Sequence, residues 1–590
     1  MKFPRLPALL GLVLALFTPV AFAADAIFDL WAEALTTEAM RADPTSATQV
    51  QYFTGAEQDA ADRKLTPFTK AYREERLAVA RRALDELAKF DRAKFSPQQR
   101  ISARILEWDL NERIKGEAFQ DYNFVFNQFR GLHVRLVNFL SQTHPIRNRR
   151  DIENYLARLE LVAAQMDEGI AQARDAQARG FLMPSFITAS AIGQFDRFLA
   201  DAPAKNVLVA SLDERAAALK DVSAEDRAAF VAAAEKTVRT AIIPAYTRAR
   251  ALLKEQLPET NDHAGLGWLP GGEAAYAYFL GRNTTTTLSP QEVHAIGLKE
   301  VARIEAEMDV LLKQLGYPEG SIKARMERLE ADLQPPADPD PRPALLARYV
   351  DILADAEKRA ALLFDLRPQA PCVVKREPPF TEKTAAAHYT PPARDGSRPG
   401  TFWAPLPGPY EMTGMRTLVY HEAIPGHHFQ IALQQEMTDL PRFRQDRIFG
   451  GATAHSEGWA LYAEHLAAES GWYEGDVVGH LGQLDDELFR ARRLVVDTGL
   501  HAMKWTRQQA IDYGIKASEV ERYVVLPGQA CAYKIGMLKI LALRAKAQQA
   551  LGAKFSLKEF HNVVLRAGNM PLSVLEQVVD DWIAAGGVAG

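Results

Sequence analysis

Helical periodicity constrains this chain more than any other feature. From about residue 27 to residue 330, apolar positions recur at three- and four-residue spacing in segments rich in Ala, Leu, Arg and Glu, which is the pattern of successive amphipathic helices. Two helix starts are marked by their residue order. Ser96-Pro97 with Gln99, and Ser289-Pro290 with Glu292, each pair a capping hydroxyl with Pro at the first helical position and a side chain able to reach back. Gly316 is placed to end the second of these helices. The run GLGWLPGG at Gly265–Gly272 lacks the spacing and strand context of a dinucleotide-binding turn and reads as a loop.

The helical text breaks at Gln334–Pro343, QPPADPDPRP, where each Pro removes a backbone donor and restricts the residue before it. A helix from Pro343 to about Leu366 follows. Then CVVKREP, AAAHYTPP and GTFWAPL predict a small sheet, and the helical pattern returns from Tyr410. The expected architecture is mostly α, a large helical body with a small β-sheet beside the helix that carries the chemistry. The divisions are residues 24–280 as a helical N-terminal part and 281–590 as the catalytic part, continuous with it.

Residues 1–23 stand apart. Lys2 and Arg5 precede an apolar run from Ala8 to Phe17, and Ala21-Phe22-Ala23 closes the segment, the order of a secretory signal peptide. The run is short for a membrane span, and no cysteine follows it that could carry a lipid. The expectation is export to the periplasm or beyond, with no stable membrane anchor after cleavage. With 70 basic and 75 acidic residues and no basic stripe, nucleic acid is not an expected partner. Only Cys372 and Cys531 are present, so one disulfide or two free thiols are the alternatives. There is no Gly-x-Ser-x-Gly, phosphate loop or Cys-x-x-Cys, which sets aside the common serine hydrolase, nucleotide and redox readings.

Chemistry concentrates in HEAIPGHH, residues 421–428. A catalytic zinc takes three His, Glu or Asp ligands and keeps an open position for water, with a carboxylate near that water. His421 is a ligand candidate and Glu422 a general base. The residue four beyond His421 is Pro425, so a straight helix fails to bring a second histidine onto the same ion. A bulge at Pro425-Gly426 that absorbs two residues would return His427 to that position; His428 is the alternative. In TAHSEGWALYAEHLA, Glu457 and Glu464 lie seven apart on one helix face. Glu457 is the expected third ligand, and Glu464 the support for a histidine ligand.

HEAIPGHH, followed by SEGWALYAE, RLVVDTGLH and LPGQACAYKIG, resembles the bacterial domain-of-unknown-function family eight-eight-five. That family is similar in turn to zinc peptidases of the gluzincin type, including the thimet-oligopeptidase, carboxypeptidase-Taq and angiotensin-converting-enzyme groups. The resemblance implies a zincin-like helical body with a central cleft, a Zn2+ cofactor, a peptide substrate and hydrolysis of short peptides with Glu422 as base. Tyr533 matches the tyrosine that bonds the tetrahedral intermediate in these relatives, with Tyr523 as alternative. Asp497 and His501, four apart, are expected to pair, leaving His501 to hold the oxyanion. Lys534, Arg522 and Arg493 are candidates to grip a substrate carboxylate or to form plain ion pairs. The run with His388 and Tyr389 is the expected peptide-binding strand. Trp459, Trp472 and Trp505 read as packing. The alternatives are a metal-containing peptide-binding module without turnover, and a zinc hydrolase of non-peptide amides or esters.

Overall fold

The structure is a computed structural model that describes residues 24–378, 382, 385–393, 396 and 398–588; the expected signal peptide lies outside them. Both sequence-marked caps form. Helix α1 (Pro97–Gly116) starts with Ser96 accepting from the Gln99 amide, while Gln99 accepts from the Ser96 amide. The same reciprocal pair at Ser289 and Glu292 opens α3 (Pro290–Gln314), after α2 (Gly272–Thr284). Beyond α3, Gly316 takes a φ of +89° and the Tyr317 amide donates back to the Leu312 carbonyl at 2.9 Å, the closing bond of a Schellman end.

The proline-rich loop leads into α4 (Arg342–Leu363), against which the sheet packs. Its strands β1 (Cys372–Arg376), β2 (His388–Thr390) and β3 (Gly400–Ala404) are the three expected runs. Their order is β1-β3-β2, with β1 parallel and β2 antiparallel to the central strand, so Phe402 lies opposite Val374 on one side and Tyr389 on the other. Phe402 and Ala404 point into the core with Tyr349, Val419 and Phe429. Cys372 and Cys531 are both buried free thiols.

Most of the rest of the described chain is helical, joined by short loops. The elements that carry the site are α5 (Met415–Glu422), α6 (His427–Glu436), α7 (Thr453–Glu469), α8 (Val477–Ala502), α9 (Ala517–Val525) and α10 (Ala532–Leu551). Each of the two largest hydrophobic clusters draws on residues before and after 280: one joins Phe28–Leu110 to residues 345–582, the other Leu65–Ala264 to Val496–Ala530. No described helix is long and apolar enough to cross a membrane.

Candidate metal centre

HEAIPGHH does not form one bulged helix. Helix α5 stops at Glu422 and α6 begins at His427, with Ala423–Gly426 as an irregular connection whose Ile424–Pro425 peptide is cis. The expected bulge is therefore replaced by a full break, because Pro425 cannot extend α5 and the chain turns sharply at Gly426. A Cβ at Gly426 would stand 1.9 Å from the His421 carbonyl oxygen, so only glycine lets the chain return this closely. The Trp459 indole donates to the Pro425 carbonyl at 2.9 Å. This tryptophan, read from sequence as packing, also ties α7 to the break.

The result brings His421, His427 and Glu457 together, each offering one ligand atom within 4.8 Å of the others. Glu457 Oε2 is 3.6 Å from His421 Nε2 and 3.3 Å from His427 Nε2. Ligands roughly 2.0–2.2 Å from a tetrahedral ion are roughly 3.3–3.6 Å apart, so the donor set and these two spacings fit zinc. The other nitrogen of His421 donates to Glu464 Oε1 at 2.5 Å. A carboxylate behind a ligating imidazole fixes its tautomer and orientation. Replacing Glu464 by Gln is expected to weaken zinc binding by about 10–100-fold, measured by competition with a chromophoric chelator; unchanged affinity would remove Glu464 from this role.

The electrostatics suit a cation. Burial opposes a charge on His421, but the Glu457 and Glu464 carboxylates outweigh it and hold the imidazole well above its usual range. Burial pushes Glu464 up to about 7 and raises Glu422, while His427 and His421 overcome burial to hold Glu457 well below the usual carboxylate range. A metal-free site of this kind stores protons, and metal uptake releases them. Glu422 itself is nearly buried, and among the described residues no hydrogen bond restrains its carboxylate.

Other sequence candidates land elsewhere. His428 is not a ligand: its Nε2 donates to the Ala370 carbonyl and its Nδ1 accepts from the Tyr389 hydroxyl, binding α6 to the sheet. Asp497 does not orient His501. The Asp497 carboxyl receives the Tyr276 hydroxyl at 2.7 Å and the Gly528 amide at 2.9 Å. His501, 0% exposed, accepts from the Leu266 amide and donates to the Tyr523 carbonyl. Their shared helix face is packed with α2 and the 265–272 loop, so the pair serves structure. Lys534 is equally enclosed, ion-paired to Glu487 at 2.5 Å and Glu300 at 3.0 Å. Arg493 and Arg522 both pair with Glu519, which also takes the Tyr523 hydroxyl.

Burial pushes the Asp497 carboxyl up from 3.8 to about 7. It keeps its proton in the folded chain over a range where the unfolded chain has lost it, so its stabilisation is complete below the unfolded value and disappears as pH rises toward 7. Asp497→Asn retains an oxygen for both donors. Its stability relative to wild type should grow between pH 4 and 8 by up to about 4 kcal/mol, read from urea denaturation. A pH-independent difference would count against the buried neutral acid.

Tyr533 is half-buried at the start of α10, with the Arg493 guanidinium 4.7 Å from its ring centre. It belongs to the helix that packs along α7, which bears Glu457. A cavity of about 970 Å³ is walled by Phe68, Phe126, Arg130, Arg135 and Val525. None of the triad residues lines it, although Arg130 is close enough to Tyr533 to interact with it electrostatically.

Fold and site together define a mostly helical protein with a His–His–Glu cluster formed where one helix breaks and another crosses it. The chain belongs to the family described as "Bacterial protein of unknown function (DUF885)", whose pattern matches residues 44–579. Among solved structures it is similar to a "putative lipoprotein" from Colwellia psychrerythraea, with 29% identity and a TM-score of 0.87 over 95% of this chain and 100% of that one. It also shares its fold with a "putative lipoprotein of unknown function" from Shewanella oneidensis, at 18% identity and a TM-score of 0.70, over 93% of this chain and 99% of that one. No curated protein matches it.

Proposed function

We propose that the chain is an exported, zinc-dependent peptidase of the gluzincin type, acting on short peptides. One observation carries the reading: two imidazoles and a carboxylate from three helices converge beside a carboxylate, Glu422, that no hydrogen bond restrains among the described residues. His421, His427 and Glu457 hold the metal. Zinc there would supply a Lewis acid and make a bound water acidic enough to react near neutrality. Glu422 takes the proton of the attacking water and delivers it to the leaving amine. Tyr533 donates to the developing oxyanion.

The substrate's backbone is held by β2, an edge strand of the described sheet that pairs with β3 on one side. His388 on that strand is near enough to Glu422 to act on its charge. Strand addition reads main chain, which suits peptides of varied sequence entering a zincin-like cleft. Export is supported by residues 1–23 and by the description of the Colwellia relative as a lipoprotein.

Purified protein loaded with zinc and incubated with a mixed peptide library is expected to yield products that a chelator abolishes and added zinc restores. Peptide retention without products would favour a binding module, and neither retention nor cleavage would sink the reading.

A further inference from the structure

Arg447 has no use in the scheme above, yet it stands beside the metal ligands. Its φ of +55° lies in the left-handed region, uncommon for any residue but glycine. That conformation sends the side chain between α6 and α7. There Nε donates to Gln434 Oε1 at 2.9 Å, and Nη1 lies 3.5 Å from the hydroxyl of Ser456, which directly precedes Glu457. Nη2 is buried with no partner among the described residues.

The surroundings repeat this pattern. On α6, His427, Gln430 and Gln434 fall on one face, spaced by three and four residues. Gln430 is 2% exposed, and both ends of its amide lack a hydrogen bond. The Nε2 of buried His455, two residues before Glu457, is also unpartnered. Buried polar groups are almost always paired, so unpartnered atoms on Arg447, on Gln430 of α6 and on His455 of α7 point to a polar partner beside the cluster.

The partner's charge follows from Arg447. Arg158, another buried arginine, spends its guanidinium on Lys64, Ala61, Thr48 and His144. Arg447 makes no ion pair with any described carboxylate, and the acid nearest in effect is Glu457. A metal would claim the charge of Glu457 and leave Arg447 without a counterion. A planar guanidinium with a free edge fits a carboxylate in two-point contact.

We propose that Arg447, assisted by Gln430, binds the C-terminal carboxylate of the substrate, so that the enzyme is a carboxypeptidase. The assignment rests on the zinc-peptidase reading and adds to it the end from which the peptide is cut. The carboxylate anchors the last residue beside Glu457, and the bond just before it then lies over the metal.

The test compares an N-blocked tripeptide free acid with its C-terminal amide. Zinc-loaded wild type should cleave the acid with kcat/KM about 10–100-fold higher, expressed mainly in KM, as expected for losing a charge-assisted bond. Arg447→Gln should bring the acid down to the amide's level, and Arg447→Lys should recover part of the preference. In the Glu422→Gln background, equilibrium binding should show the same preference without turnover. Equal cleavage of acid and amide by wild type overturns the carboxylate subsite and leaves the peptidase reading standing. So does an acid preference that survives Arg447→Gln; water is then the polar partner. Failure to bind or cleave either peptide overturns both. Equal cleavage by the wild type overturns the subsite whatever the Gln variant does, and Arg447→Lys, which keeps the charge but loses the two-point contact, tests Arg447 itself if the Gln variant does not fold.

Discussion

Replacing Glu422 by Gln is expected to leave zinc bound while lowering peptide hydrolysis by about 10²–10⁴-fold, the usual contribution of a positioned general base. The separation arises because Glu422 is not one of the three converging ligands. Its neighbour His421 keeps its own support from Glu464. Gln is close to isosteric, so the connection at residues 423–426 need not move. The amide cannot accept the water's proton, and the loss should appear in kcat with little change in KM. Zinc content by atomic absorption and turnover of a cleaved peptide, measured on one preparation, check both halves. Loss of zinc would mean that Glu422 belongs to the coordination set; retained turnover would remove it from the mechanism.

The helical architecture and the two capped helices were legible in the sequence because they depend on local features, namely periodicity, prolines and capping hydroxyls a few residues apart. So were the three short strands. Much of the His–His–Glu cluster was legible too: the proximity of His421 to Glu422 is local, and the seven-residue spacing of Glu457 and Glu464 puts both on one face of α7. Sequence spacing misled where one helix face has two possible neighbours. Asp497 and His501 do share a face of α8, but that face is filled by Tyr276, Leu266 and Gly528 rather than open to substrate. Lys534 stayed open between a grip on substrate and an ion pair because Glu487 and Glu300, its partners, are distant in the chain; the ion pair is what forms. His428 was left beside His427 because the choice depends on the dihedral angles at Gly426. Arg447 carried no signal, since its meaning lies in the partners it lacks.

Two glycines, Gly458 in SEGWALYAE and Gly536 in LPGQACAYKIG, govern where Glu457 sits. Helices α7 and α10 cross with Gly458 against Gly536: a Cβ on Gly536 would be 1.9 Å from the Ala454 carbonyl oxygen, and one on Gly458 would be 2.5 Å from the Gly536 backbone. Backbone atoms cannot yield as the end of a flexible side chain can, so Gly536→Ala must push the helices apart by about 1 Å or more. Overpacking of this kind costs about 1–3 kcal/mol, and the displacement carries Glu457 away from His421 and His427. Metal sites tolerate only about 0.2 Å of error in ligand distance. Gly536→Ala is therefore expected to lower the denaturation midpoint and also to abolish most of the stabilisation that zinc gives the wild type. Gly193→Ala is the matching control, because it too lies within a helix but its added methyl would meet nothing closer than the Arg197 guanidinium at 3.6 Å. There the exchange should be neutral or stabilising, from helix propensity alone, with the response to zinc intact. If Gly536→Ala binds zinc as the wild type does, the position of Glu457 does not depend on this crossing, and the break at Pro425 with its Trp459 bond must hold the cluster by itself.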